Sequence, residues 1–313
     1  MSALVALTSC AAAPTSTGPT IQPTIPSLPA SPDSVGRSFP VTVTDDEGTS
    51  VAIPERPERI VSLTPGTTEI LFAIGAGDRV VATTDADDYP PEAVLLPDVA
   101  SFGSVDLERI VELEADLVLA GGLEYTPSDA IQTLRSLDIP VVVIYAASVD
   151  GVLADIELTG EAVGNERQAR ALVDEMRTEI EALSAAVEDL PRPRVFYEID
   201  ASVGVYGPAE DSFLAEMIRL AGGEPITTGS ALSFEITLER LVAADPEVIV
   251  LGDAAFGVTP EQVAKRPAWE QMTAVQKGAV RVVDDKLVTR PGPRLAQGLR
   301  SLVLAIHPDA RLP

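Results

Sequence analysis

The sequence contains one short pattern twice, and the two copies stand about 130 residues apart. Residues 106–111 read DLERIV and lead to the largely apolar run 116–120, whereas residues 237–242 read TLERLV and lead to 247–251. Each copy predicts a cap residue, a short helix with an acidic first turn, a polar turn and a buried strand. A unit repeated at this distance favours two similar α/β lobes with a cleft between them, each presenting one glutamate at the same position.

The length and the alternation of predicted elements indicate the fold class. A chain of 313 residues is longer than one hydrophobic core usually supports. Apolar strands alternate with helical segments, a pattern typical of parallel sheets that are covered on both faces. We therefore predict an α/β fold of two three-layer α/β lobes with mainly parallel sheets, joined by one long backbone helix.

Periodicity sets the expected boundaries of the lobes. Apolar residues recur along one face of residues 166–187, which predicts a helix about 33 Å long at 1.5 Å per residue. We expect an N-terminal α/β lobe over residues 39–165, a connecting helix over 166–190 and a C-terminal α/β lobe over 191–313.

The first 38 residues differ in composition from the rest of the chain. Residues 4–7 are apolar, and residues 7–10 read LTSC, which resembles the lipobox of bacterial lipoproteins, where the cysteine becomes lipid-modified. We interpret residues 1–10 as the remnant of a lipoprotein signal peptide and residues 11–38, rich in Pro, Ser and Thr, as a disordered linker. The resemblance implies a protein anchored through Cys10 at the extracytoplasmic face of the bacterial cell membrane.

The charge and the rare residues exclude several classes of partner and site. A net charge of −26 argues against binding to nucleic acid or to anionic lipid. The sequence has one cysteine, Cys10, and one histidine, His307, which excludes internal disulfides, Cys/His zinc sites and triads with any other histidine. A metal held by carboxylates alone stays open, but we expect no metal site and no cofactor.

Several short motifs occur in the order that one protein family shows. From about residue 39 to residue 308, the chain resembles the substrate-binding component of bacterial ABC importers. The particular class is the one for cobalamin, iron-siderophores or haem, in which two α/β lobes are joined by one backbone helix. The motifs are weak singly and specific together, and they lie at residues 59–69, 77–81, 88–91, the two LER copies, 221–223 and 290–295.

This resemblance gives the repeated glutamates a role. It implies that Glu108 and Glu239, one in each lobe, dock onto arginines of the importer's permease, a transmembrane dimer with ATPase subunits. A carboxylate in the first turn of a helix is favoured by the helix dipole, and paired charges at an interface set orientation and encounter rate. The alternative is that each glutamate only caps its helix. We expect the binding protein itself to be a monomer.

The loops that follow the predicted strands should line the cleft between the lobes. The candidate ligand-binding residues are mostly aromatic with one cation, a set that suits a large, flat, partly anionic ligand: Thr64, Phe102, Tyr125, Tyr206, Phe234 and Arg290. The alternative for the aromatic residues is ordinary packing within loops. We expect Arg294 to be a structural residue at a helix start, and Asp85, Asp87 and Asp88 to form a solvated loop.

The ligand itself stays open among cobalamin, a ferric siderophore and haem. The best-known cobalamin receptors wall their cleft with several tryptophans and tyrosines. In this chain Ala86, Phe102 and Gly121 stand at the corresponding positions, and the only tryptophan, Trp269, lies elsewhere. A chelated iron complex is therefore as plausible as a corrinoid.

Two other functions fit the sequence less well. Residues 75–77 read GAG, but they follow a predicted helix and lack the third glycine of a dinucleotide fingerprint. An enzyme would have to depend on paired carboxylates, as a hydrolase does, and we predict that the protein is not an enzyme. A lipid-anchored receptor or scavenger that meets no transporter would have the same cleft, and only the docking glutamates distinguish it.

Overall fold

The computed structural model describes residues 39–122 and 126–313. The predictions for residues 1–38, Cys10 among them, and for Tyr125 lie outside the described residues. The first half of the described chain, up to residue 163, alternates strands with helices: β1 (Val41–Thr44), β2 (Ser50–Ile53), β3 (Ile60–Ser62), α1 (Pro65–Ala73), β4 (Val80–Thr84), β5 (Asp98–Ser101), β6 (Ser104–Val105), α2 (Leu107–Glu112), β7 (Leu117–Gly121), α3 (Ser128–Ser136), β8 (Val141–Ile144) and α4 (Val149–Val163).

Six of these strands form one sheet in the order β6-β5-β4-β3-β7-β8. Neighbouring strands are parallel except for β5 and β6. Alternate residues of β7 enter different cores, since Leu117 and Leu119 pack on one face while Val118 and Ala120 pack on the other. Both faces of the sheet are therefore covered, which explains why β7 reads as a continuous apolar run. Strands β1 and β2 form a separate antiparallel hairpin.

A single helix, α5 (Glu166–Ala185), leaves this lobe, and its junction with α4 is held by buried hydrogen bonds. Helix α4 ends at Gly164, whose φ of 73° is a left-handed conformation that glycine adopts without strain. The buried Asn165 donates from Nδ2 to the carbonyl oxygen of Ile74 at 2.8 Å, and its Oδ1 accepts from Arg79 Nη2 at 2.8 Å. Arg79 also donates to the carbonyl oxygen of Val163 at 3.0 Å. These bonds fix the direction in which α5 departs.

The C-terminal lobe has a smaller sheet. Its elements are β9 (Arg194–Glu198), β10 (Val205–Tyr206), α6 (Phe213–Leu220), β11 (Glu224–Pro225), β12 (Glu235–Ile236), α7 (Leu238–Ala244), β13 (Val248–Leu251), α8 (Pro260–Val263), α9 (Thr273–Gln276), β14 (Val280–Val282), α10 (Asp285–Thr289) and α11 (Leu295–Ile306). Four parallel strands run in the order β11-β9-β13-β14, and β10 pairs separately with β12 in antiparallel fashion.

One hydrophobic core continues from lobe to lobe along α5. Buried residues from β3 and β7, from β9 and β13, and from α4, α5 and α11 belong to the same cluster. The predicted apolar face of α5 is confirmed, because Leu172, Met176, Ile180 and Leu183 are buried in that cluster. The opposite face of each sheet has a core of its own. The predicted fold of two α/β lobes joined by one backbone helix is thus confirmed, and the shared core makes the join rigid.

Among the residues described, no helix is both long and apolar enough to cross a membrane.

Candidate functional site

The repeated pattern forms the same local structure in both lobes. In the N-terminal lobe β6 leads to α2 and then β7, and in the C-terminal lobe β12 leads to α7 and then β13. The Asp106 side chain caps α2 by accepting from the backbone nitrogen of Arg109 at 2.9 Å, and Thr237 caps α7 by accepting from that of Arg240 at 3.3 Å. The structure extends the repeat to the two-residue strand before each cap, which the sequence alone did not reveal.

Glu108 and Glu239 occupy equivalent, exposed positions in the first turns of α2 and α7. Each helix ends where the following strand begins, at the amino edge of its sheet. Its first turn therefore lies toward the carboxyl edge, where parallel sheets bind ligands. Along each helix one residue turns inward, Ile110 in α2 and Leu241 in α7, and each is fully buried. The burial of this residue fixes the glutamate on the solvent side of its helix.

A set of ion pairs, which we call the inter-lobe seam, joins the two lobes at their carboxyl edges. It consists of Glu69 and Asp88 from the N-terminal lobe with Lys286, Arg290 and Arg294 from the C-terminal lobe. Asp88 follows β4, and the three basic residues follow β14. The carboxyl edges of the two sheets therefore face each other across the cleft.

The deepest part of the seam is the pair between Glu69 and Arg294. Both are buried, and the guanidinium donates from Nε to Glu69 Oε2 at 2.8 Å and from Nη2 to Oε1 at 2.5 Å. The same guanidinium lies over the ring of Tyr89, 4.2 Å from its centre. The lobes are so close here that a side chain at Gly66 would meet the carbonyl oxygen of Pro291 at 2.5 Å. The expectation that Arg294 is structural agrees with this geometry.

The outer part of the seam contains Arg290, one of the predicted ligand-binding residues. Its Nη1 donates to Asp88 Oδ1 at 2.5 Å and to Glu69 Oε1 at 3.4 Å, and its Nη2 donates to the carbonyl oxygen of Ala86 at 3.3 Å. Lys286 pairs with the other oxygen of Asp88. Burial alone would raise the pKa of Asp88, but the hydrogen bonds from Lys286 and Arg290 hold it below its ordinary value.

The prediction of a solvated acidic loop is wrong for Asp87, and it did not include the ion pairs of the exposed Asp88. Asp87 is buried, and its Oδ2 accepts from both the backbone nitrogen and the hydroxyl of Thr84 at 2.9 and 2.7 Å. Burial raises the pKa of Asp87, although the bonds from Thr84 oppose the shift. Asp88 belongs to the seam, and only Asp85 is exposed without a side-chain partner. The partners of Asp88 stand 198 and 202 positions away, so that no local signal could have revealed them.

Hydroxyl groups line the carboxyl edge of the N-terminal lobe. Ser62 Oγ lies 2.6 Å from Thr67 Oγ1 and accepts from Thr68 Oγ1 at 2.8 Å. Thr64, predicted to bind ligand, is half-buried at the cap of α1, and its hydroxyl lies 3.0 Å from that of Thr67. These neutral groups satisfy one another and keep the first turn of α1 in place.

Ionisable groups line the corresponding edge of the C-terminal lobe. Glu198, the last residue of β9, is fully buried and accepts from Arg266 Nη1 and Nη2 at 2.5 and 2.9 Å. That guanidinium stacks on Trp269, 4.7 Å from the ring centre. Burial and the negative charge of Glu198 raise the pKa of the neighbouring Asp253 to about 7. This lobe therefore holds one carboxyl group that changes its charge near neutral pH.

The predicted aromatic residues of the described chain, Phe102, Tyr206 and Phe234, lie in or beside loops. Phe102 is 87% exposed in the turn between β5 and β6, Phe234 is 48% exposed just before β12, and Tyr206 is half-buried at the end of β10. Two aliphatic residues that we had not predicted, Val203 and Leu232, are each 96% exposed on loops of the C-terminal lobe. Large apolar residues within glycine- and serine-rich loops were the signal that could have identified them.

No group of three or more His, Cys, Asp or Glu side chains within residues 39–122 and 126–313 is arranged to hold a metal ion. The basic and acidic side chains that follow the strands of the two sheets bind one another.

Comparison with known proteins identifies the family. The periplasmic binding protein family matches residues 60–287, from the first strand of the larger sheet to α10. The chain belongs to this family. The predicted resemblance to the substrate-binding component of ABC importers with a single backbone helix is thereby confirmed.

Named relatives span most of this periplasmic binding protein. It is 35% identical over 276 residues to the uncharacterized ABC transporter substrate-binding lipoprotein YvrC of Bacillus subtilis, with 87% of each chain covered. It is 31% identical over 282 residues to a cobalamin-binding protein of Halobacterium salinarum, covering 86% of this chain and 75% of the relative. The periplasmic haem-binding protein RhuT from Roseiflexus sp. RS-1 has a similar fold, with a TM-score of 0.71, 26% identity and coverage of 81% and 99%.

Proposed function

We propose that this protein is the extracytoplasmic substrate-binding component of an ABC importer, which captures a large metal chelate between its lobes and delivers it to a permease. The observation that carries the proposal is the matched pair of units β6–α2–β7 and β12–α7–β13. Each unit presents an exposed glutamate near the edge of the cleft, and the shared core keeps the two glutamates in a fixed relation. A rigid pair of charges is suited to docking on a two-fold symmetric partner.

In this proposal Glu108 and Glu239 pair with arginines of the permease dimer, whose ATPase subunits drive transport, and the binding protein acts as a monomer without chemical turnover. The two glutamates have no side-chain hydrogen bond or ion pair within the described chain. Both carboxylates are therefore available to a partner. Helix capping, the alternative role, is already performed by Asp106 and Thr237.

The proposed ligand lies in the cleft against Thr64, Phe102, Tyr206 and Phe234, with Arg290 at its base. Cobalamin is our first candidate, because a relative with 31% identity is named a cobalamin-binding protein. Haem is the second, because a similar structure is that of a haem-binding protein, and a ferric siderophore is the third. A flat apolar face on the ligand would cover the exposed phenylalanine rings.

We further propose that Cys10 anchors the protein to the extracytoplasmic face of the cell membrane. The Bacillus subtilis relative is named a lipoprotein, and Cys10 is preceded by a lipobox-like sequence. The linker of residues 11–38 would then connect the anchor to the two lobes.

Ligand capture is tested by titrating the purified full chain with cyanocobalamin, haem and ferrioxamine B while recording absorption spectra and melting curves. We expect at least one chelate to bind and to raise the melting temperature, since a ligand at 100 times its Kd stabilises the folded state by about 2.7 kcal/mol. If none of these chelates binds, the proposal of a chelate carrier is wrong.

Docking is tested with the double variant Glu108→Ala, Glu239→Ala in cells that depend on this protein for uptake of the bound chelate. We expect unchanged ligand affinity and loss of uptake. The matched control is Glu112→Ala with Glu235→Ala, which removes two exposed carboxylates four residues from the docking positions and should transport normally. Normal uptake by the first double variant would show that docking does not depend on these two glutamates.

A further inference from the structure

The basic side chains around the cleft are already neutralised by the protein's own carboxylates. In the part of the C-terminal lobe that follows β13 and β14, Arg266 pairs with Glu198, Lys286 with Asp88, and Arg294 with Glu69. Arg290 pairs with both Asp88 and Glu69. An anionic group on a ligand would therefore have to compete with a carboxylate of the protein for each of these cations.

Asp88 has a special position among these carboxylates, because it alone binds two cations on the outer side of the seam. One oxygen accepts from Arg290 and the other from Lys286. The side chain of Arg290 is only 17% exposed, whereas that of Asp88 is 39% exposed and that of Lys286 is 52% exposed. Lys286 thus lies where a ligand can reach it, Arg290 is largely covered, and Asp88 is the group that occupies both cations. A charge-assisted hydrogen bond of this kind is about twice as strong as a neutral one.

The surroundings of the seam are also rich in carboxyl groups. Asp85 is exposed on the same loop as Asp88, and Asp284 and Asp285 lie beside Lys286 in the chain. Burial raises the pKa of Asp285, with the charge of Asp284 adding to the shift, while the hydrogen bonds from Tyr197 and Thr289 oppose it. Negative charge already accumulates at this end of the cleft, which disfavours a further anion there.

We propose that Asp88 makes the cleft selective for chelates without free anionic groups, so that neutral or cationic chelates bind and anionic ones are rejected. This inference rests on the proposed function as a chelate carrier and names the charge class of its ligand. The exposed Phe102, Phe234, Val203 and Leu232 supply contacts for which an uncharged ligand surface is suited. Because Asp88 neutralises Arg290, this side chain presents no net positive charge to the ligand at the bottom of the cleft.

The test compares binding of two pairs of chelates to the purified full chain. Cyanocobalamin is neutral and ferrioxamine B is cationic, whereas haem carries propionates and ferric enterobactin is strongly anionic. We expect a chelate of the first pair to bind at least about tenfold more tightly than either of the second pair, which is the discrimination that one unmatched charge-assisted contact gives. Tighter binding of haem or ferric enterobactin overturns the inference and leaves the chelate carrier standing. Absence of binding by all four removes both.

The role of Asp88 is tested by Asp88→Asn, with Asp85→Asn as the matched control. Both substitutions remove one negative charge from the same loop, but only the first releases Lys286 and loosens Arg290. We expect Asp88→Asn to improve the affinity for the anionic chelates by about tenfold and Asp85→Asn to leave it nearly unchanged at 0.15 M salt, where exposed charges are screened. An equal gain in both variants, or no gain in Asp88→Asn with its melting curve unchanged, overturns the role of Asp88.

Discussion

The two carboxyl edges that face each other across the cleft are built from different chemistry on similar scaffolds. The edge of the N-terminal lobe is lined by hydroxyl groups that bind one another, with Ser62, Thr67 and Thr68 within 2.8 Å of their partners. The edge of the C-terminal lobe holds Glu198 with Arg266, and beside them Asp253. The hydroxyl network of the first edge is uncharged, whereas the network of the second edge depends on balanced charge.

This difference indicates how the lobes divide the work of forming a site. A neutral hydroxyl network costs little to bury and keeps its geometry as pH changes. A buried ion pair holds its partners firmly, but the loss of one partner destabilises the fold because it leaves an uncompensated buried charge. The seam divides its charges between the lobes. The N-terminal lobe supplies the two carboxylates, and the C-terminal lobe supplies all three cations.

The largest effect is expected from Glu69→Ala, which tests the one fully buried charge that the N-terminal lobe contributes to the seam. The substitution leaves Arg294 buried without its carboxylate, and losing one partner of a buried pair costs about 3–5 kcal/mol of unfolding free energy. Urea unfolding measures this loss. The control is Glu112→Ala, which breaks the exposed pair with Arg109 at 3.0 Å and should cost less than about 1 kcal/mol. Equal losses in the two variants would show that the seam does not stabilise the fold.

A smaller effect separates the two edges directly. We expect Arg266→Met to cost about 3 kcal/mol, because it leaves the carboxylate of Glu198 buried without a cation. Thr68→Val in the N-terminal lobe removes one uncharged hydroxyl, which contacts Ser62, the carbonyl oxygen of Thr64 and Asp87, and should cost about 1–2 kcal/mol. Chemical unfolding of both variants beside the wild type gives the comparison, and a larger loss from Thr68→Val would reverse the contrast between the edges.

The smallest effect concerns pH and the raised pKa of Asp253, about 7 against an ordinary value of 3.8. The unfolded chain releases this proton near pH 4 while the folded chain keeps it until about pH 7. This group's contribution to stability is therefore complete below pH 4, is lost between pH 4 and 7, and stays level above. We expect the free energy of unfolding of Asp253→Asn to equal that of the wild type at pH 4 and to be higher by about 1–2 kcal/mol at pH 8. Thermal unfolding across this range checks the sign, and a gain at pH 4 instead would contradict it.

Local sequence patterns were sufficient to predict most of the fold. The repeat predicted the helix and strand of each unit, and the structure has them at Leu107–Glu112 with Leu117–Gly121 and at Leu238–Ala244 with Val248–Leu251. The apolar face of the connecting helix was also predicted. Boundaries were less certain, since the connecting helix was predicted over residues 166–190 and ends at Ala185.

The candidate site was only partly accessible to such reasoning. Exposure of Glu108, Glu239 and Phe102 agrees with the positions expected from cap, turn and loop signals, while their roles in docking and binding stay predictions. Arg290 was expected to meet an anionic ligand, and its engagement by Asp88 could not be foreseen.

The sequence by itself determined the two-lobe α/β architecture, the single connecting helix and the two outward glutamates, because each of these depends on periodicity and capping within a few turns of the chain. Only the tertiary structure decided which charges meet. Glu69 and Arg294 stand 225 positions apart, and Glu198 and Arg266 stand 68 apart. Such pairs form because packing of α5 against both lobes brings the carboxyl edges together, and no local pattern encodes that distance.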